Sequence, residues 1–105
     1  MRKAYTDDPR AHTIAPLVEQ KKITTLGQIF RWIPRAAVAD ALGVHVRRVT
    51  GMILRPGSIT LDESDALADL FEIERDVFMK LIRTHMREVL KGGYSLPKLD
   101  YGVGE

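Results

Sequence analysis

Apolar and polar positions along the chain recur with a helical period rather than the alternation of strands. Ile14, Leu17 and Val18, at i, i+3 and i+4, predict a short helix beginning near Pro9. A second is predicted from Leu26, with Ile29, Phe30 and Ile33 on one side. Pro34 ends it, because the residue before a proline is pushed out of the helical region. Thr25-Leu26-Gly27-Gln28 fits a capping box, the threonine hydroxyl accepting from the backbone three residues on while the glutamine reaches back. Val38 and Leu42 predict a helix over about Arg35–Leu42, whose first turn Pro34 suits. Val49, Met52 and Ile53 predict another over about Val46–Leu54. Between them Gly43 reads as a helix terminator with positive φ, which glycine adopts without steric cost.

Arg-Pro-Gly-Ser (55–58) is a turn by composition. Thr60-Leu61-Asp62-Glu63 is a second capping box, reinforced by two acids at the positive end of the helix it opens. That helix is expected to bury Leu61, Leu67, Leu70 and Phe71, while Phe30 and Trp32 are assigned to the core as well. The last helix, about Arg75–Lys91, carries Val77, Phe78, Leu81, Ile82, Met86, Val89 and Leu90. Nothing reads as a strand. The expected class is an all-α bundle of five or six short helices. Residues 1–8 are expected to form a flexible terminus, 9–91 the domain and 92–105 a tail.

With 105 residues the chain is long enough for one domain with one core. The absence of cysteine excludes disulfides, thiolate metal sites and cysteine nucleophiles. No apolar run approaches the roughly 18 residues of a membrane span, and the opening "MRKAYTDDPR" lacks a secretory apolar stretch. A cytoplasmic protein without a membrane partner is the expectation. Net charge is only +2, yet it is unevenly spread. Up to Ile59 there are 10 lysines and arginines against 4 acids, a net of +6; from Thr60 to Leu90 there are 4 against 8, a net of −4. A basic half joined to an acidic half suits a protein that shows one face to a polyanion.

Two short helices joined at a glycine turn make a helix-turn-helix, whose second helix can enter a DNA major groove. Arg35–Leu54 resembles the motif of the lambda-repressor-like family, the repressors and Cro proteins of phages and bacteria. Ala39 matches its small residue at the helix crossing, Gly43 its turn glycine, and Val38, Leu42, Val44, Val49 and Met52 its buried positions. The likeness continues through "ITLDESDALADLFEIERDVFMKLI", similar to the family's last two helices, and so covers roughly Leu26–Ile82. "IPRAAVADALGV" is also similar to small phage- and mobile-element-associated proteins of this fold.

The resemblance implies a double-stranded DNA partner and a regulatory role. Carried over by position, it implies Val46, Arg47, Thr50 and Gly51 as base-facing residues. Among them Arg47 is the best base reader, since a guanidinium can bridge O6 and N7 of guanine. Arg35, His45, Arg48 and Arg55 are implied as phosphate contacts. The sequence departs from the pattern at two of these places. His45 stands where a Ser, Thr or Asn cap is usual, and Gly51 where a long polar side chain is usual. With Val46 and Gly51 offering little polar vocabulary, the second expectation is a protein-interaction module, an adaptor or antitoxin-like partner, that keeps the fold without sequence readout.

The remaining chemistry is sparse. His12, His45 and His85 have no metal-ligand spacing, no serine lies in a nucleophile motif, and there is no phosphate-binding glycine loop. No enzyme, cofactor or small-molecule ligand is implied. Phe78, Ile82, His85 and Val89 form an apolar stripe larger than a minimal repressor-like domain needs. That stripe is assigned to a homodimer contact, which would set two recognition helices about one DNA turn apart. Packing of the stripe against the helix at Ile14–Val18 is the alternative.

Overall fold

The computed structural model describes residues 8–92, and among them every regular element is helical. Asp8 caps a 3-10 turn at Pro9–Thr13, its carboxylate accepting from the Arg10 backbone N–H at 3.0 Å. The α-helices that follow are α1 (Ile14–Glu19), α2 (Leu26–Ile29), α3 (Arg35–Leu42), α4 (Val46–Leu54), α5 (Leu61–Leu70) and α6 (Arg75–Gly92). Pro56–Ser58 form a second 3-10 turn between α4 and α5. The terminus and tail expected over 1–8 and 92–105 lie outside the described residues, apart from Asp8 and Gly92.

The α3–α4 corner follows the glycine. Gly43 sits at φ +72°, its N–H reaching the Asp40 carbonyl and that of Val44 reaching Ala39. This pair of bonds is a Schellman motif, which satisfies two of the carbonyls a helix end leaves open. Ala39 is buried at the corner, and α3 packs on α4 there. The same motif closes α1 at Lys21 (φ 60°) and α5 at Glu72 (φ 58°), with no glycine at either.

The Thr60 box forms as expected: Glu63 N–H donates to Thr60 Oγ1 at 3.1 Å and Thr60 N–H to Glu63 Oε1 at 2.9 Å. The Thr25 box is looser. Thr25 Oγ1 accepts from Gln28 N–H, but the glutamine reaches one residue further back, to Thr24 N–H at 2.6 Å. α2 is also shorter than its apolar spacing suggests. The N–H groups of Phe30, Arg31 and Trp32 turn to carbonyls three residues back, tightening the chain ahead of Pro34.

The core gathers Ile14, Ile23, Leu26, Ile29, Phe30 and Ile33 with Val38, Val49, Met52, Leu67 and Phe71. Phe78 joins them, stacked on Phe71 with ring centroids 6.3 Å apart. Two expected core residues fall outside: Trp32 is 43% exposed and Leu61 73%, while Leu90, on the last helix, is 80% exposed. Leu61 is the first residue of α5, where its side chain projects before the helix has turned onto the core. Leu90 lies in the last two turns of α6.

The α6 stripe is spent inside the chain. Phe78, Ile82 and His85 are all buried, Val89 is half-buried, and α6 packs on α2, α5 and the Pro56–Ser58 turn. His85 fixes this arrangement. Gly27 N–H donates to its Nδ1 at 3.3 Å, and its Nε2–H donates to the Ile53 carbonyl at 2.7 Å. A contact with a second copy through Phe78, Ile82 and His85 would require unpacking the core, so the dimer surface expected from those residues is corrected to an intramolecular one.

Candidate nucleic-acid interface

α4 is positioned by its buried side, where Val49, Met52 and Ile53 enter the core. Its start is held by His45, whose Nδ1 accepts the Arg47 backbone N–H at 3.0 Å. An imidazole nitrogen thus supplies the acceptor that a Ser, Thr or Asn would otherwise provide. The ring that sequence reasoning gave to a phosphate is the N-cap of the helix, and it remains exposed.

Three other expected contact residues are turned to internal use. Arg35 is 8% exposed, and its Nη1 donates to Thr50 Oγ1 at 2.7 Å. This bond crosses from the first residue of α3 to the middle of α4 and engages both groups within the chain. Arg48 makes a two-point ion pair with Glu63, Nη2 to Oε1 at 2.6 Å and Nε to Oε2 at 2.7 Å, and its Nη2 also donates to the Ser58 carbonyl at 2.8 Å. The Arg48 guanidinium beside it holds the Glu63 carboxyl below the usual carboxylate range, against the opposing effect of burial. A charge so matched has little left for a phosphate.

Gly51 is covered rather than outward-facing. A Cβ added there would lie 3.4 Å from Arg55 Nη2 and 3.8 Å from Arg48 Nη1, so the two guanidinium groups lie across it. Glycine at this position gives the arginines room, at a helix cost of about 1 kcal/mol relative to alanine.

The outer face of α4 that remains consists of exposed Arg47, half-buried Val46, and Leu54 and Arg55, both exposed, at its end. Arg31 is also exposed, next in sequence to the exposed Trp32. The residue that sequence reasoning missed is Glu63. Its capping role is legible from Thr60-x-x-Glu, but its pairing with Arg48, fifteen residues earlier, carries no local signal.

The histidines stand apart, with His12 near Glu72 (3.4 Å), His45 at the α4 cap and His85 in the core. No helix among the described residues is long and apolar enough to cross a membrane. Comparison with known proteins finds no family model, no curated protein and no solved structure that matches the chain.

Proposed function

We propose that α3, the Gly43 corner and α4 act as a helix-turn-helix that binds double-stranded DNA with limited base discrimination, as a small regulator of the lambda-repressor-like kind. The observation that carries the reading is the outer face of α4. Arg47 projects into solvent from the first turn of a helix held by its cap and by Arg35–Thr50. A guanidinium in that position suits guanine O6 and N7, and Val46 beside it suits a thymine methyl. Arg55 supplies a phosphate contact at the other end of the helix. With Thr50 and Arg48 engaged internally and Gly51 covered, few groups remain to read bases. Affinity then comes mainly from charge and falls steeply with salt.

A second reading, a protein-interaction module, is favoured by exposed Trp32 and by Leu54 on the same α4 face as Arg47. One titration separates the two. Fluorescently labelled duplex DNA is titrated at low and moderate salt with wild type and with the Arg47→Ala/Arg55→Ala double variant. Both substituted side chains are exposed, so the fold is kept. DNA binding by wild type that the double change weakens at least roughly tenfold supports the first reading, given about 1–3 kcal/mol for a bidentate base contact. No binding at low salt rejects it in favour of the second.

A further inference from the structure

The sequence places an acidic half after Ile59, yet α6 does not share that character on its outer side. Lys80, Arg83, Thr84, Arg87 and Lys91 recur at three- and four-residue steps, which puts them on one face of the helix. The opposite face is the one that buries Phe78, Ile82 and His85. Lys80, Arg83, Arg87 and Lys91 are all exposed. None of the four lies within ion-pair distance of a carboxylate among the described residues; Arg87 Nη2 instead donates to Thr84 Oγ1 at 3.4 Å.

The acids nearby are otherwise employed or placed. Asp65 and Asp69 of α5 are both taken by Arg75, at 3.5 and 3.2 Å. Glu19, Glu72 and Glu74 line a separate groove beside α1. Asp76 and Glu88, the acids of α6 itself, are exposed and form no ion pair with the row. Lys80, Arg83, Thr84 and Arg87 line an open cleft of about 520 Å³ together with Met86, which approaches the Gly57 position of the Pro56–Ser58 turn. That turn directly follows Arg55, so the cationic row runs beside the end of α4.

We propose that this outer face of α6 is a second DNA-binding surface, a row of cations that tracks the phosphate backbone. The inference rests on the DNA reading for its partner but on residues that reading does not use. From Lys80 to Lys91 the row spans about 16 Å at 1.5 Å per residue. Duplex DNA presents one phosphate per strand every ~3.4 Å of axis, so the row covers about five phosphates. An anionic membrane fits less well. A helix lying on lipid inserts its apolar face, and the apolar face of α6 is already buried in the core.

The test measures binding of a random-sequence duplex over a range of salt by wild type, by Lys80→Ala/Arg83→Ala/Arg87→Ala and by Arg47→Ala/Arg55→Ala. The α6 triple variant is expected to bind at least roughly tenfold more weakly at moderate salt, with the slope of log affinity against log salt reduced by about two to three. The charge-keeping Arg83→Lys/Arg87→Lys variant is expected to bind as wild type does. Thermal melts of all variants should overlay, since the side chains are exposed. If the triple variant binds as wild type while the α4 variant is weakened, the α6 surface is rejected and the α4 reading stands. The converse result rejects the α4 reading and keeps α6. Absence of duplex binding by wild type, with or without binding to phosphatidylserine vesicles, overturns the proposal.

Discussion

Gly43 and Glu72 hold the same backbone position at the ends of two helices, and only one of them is the residue suited to it. Apart from its two chain neighbours, no described residue comes within 4 Å of the place a Cβ would take at Gly43, so the cost of a side chain there is conformational. Gly43→Ala is expected to lower unfolding free energy by about 1–2 kcal/mol, measured by urea denaturation with an unchanged m-value. Glu72→Gly should go the other way, neutral to about 1 kcal/mol more stable, because relief of the left-handed strain exceeds the added freedom of the unfolded chain. A glycine made the first corner legible in the sequence. Lys21 and Glu72 carry no such mark, and their corners come from the helix-end hydrogen bonds of Lys22 to Leu17 and of Ile73 to Ala68.

At the scale of elements, α4 and α5 are clamped by one carboxylate. Glu63 caps α5 through the Thr60 N–H and holds α4 through Arg48. Glu63→Gln keeps a side-chain acceptor for the cap and loses the charge, at an expected cost of about 1–2 kcal/mol; Glu63→Ala loses both, at about 3 kcal/mol. Denaturant unfolding of both variants tests the order. Because the folded carboxyl is held below its ordinary value of 4.5, its contribution is fully present above about pH 4.5. It is lost as pH falls through the lower folded value.

The bounds of α3 and α4 were legible because Pro34, Gly43 and the Arg-Pro-Gly-Ser turn mark them locally. The length of α2 was not, because apolar spacing at Ile29, Phe30 and Ile33 continues through residues whose N–H groups bond three rather than four back. Periodicity also misplaced Leu61, which it counted as core although the helix begins there. For the candidate interface, the positions on α4 were legible and their employment was not. Arg35 meets Thr50 and Arg48 meets Glu63 across fifteen residues each, a distance at which spacing along the chain says nothing.

At the scale of the whole molecule, His85 joins three elements: α6 carries it, Gly27 in α2 donates to it and Ile53 in α4 accepts from it. Burial pushes its pKa below 6.5, opposed by the Ile53 bond and by Glu88. Since the folded value is the lower one, its contribution is complete above about pH 6.5 and declines as pH falls from there towards the folded value. Protonation also places a hydrogen on Nδ1 against the Gly27 N–H. Midpoints of urea unfolding between pH 7 and 5 should therefore fall, and His85→Gln should flatten that part of the curve.

Charge at this scale is sorted by face, with cations on the outer sides of α4 and α6 and the carboxylates of Glu19, Glu72 and Glu74 beside α1. The proposed contact of the α4 face with duplex DNA can be followed through the backbone amide resonances of the 15N-labelled protein as a duplex is added at low salt. The largest shifts are expected at residues 45–48 and around Arg55, with a second set along Lys80–Lys91 and little change at Glu72 and Glu74. Resonances that do not move, or movement confined to the acidic groove beside α1, would contradict that contact.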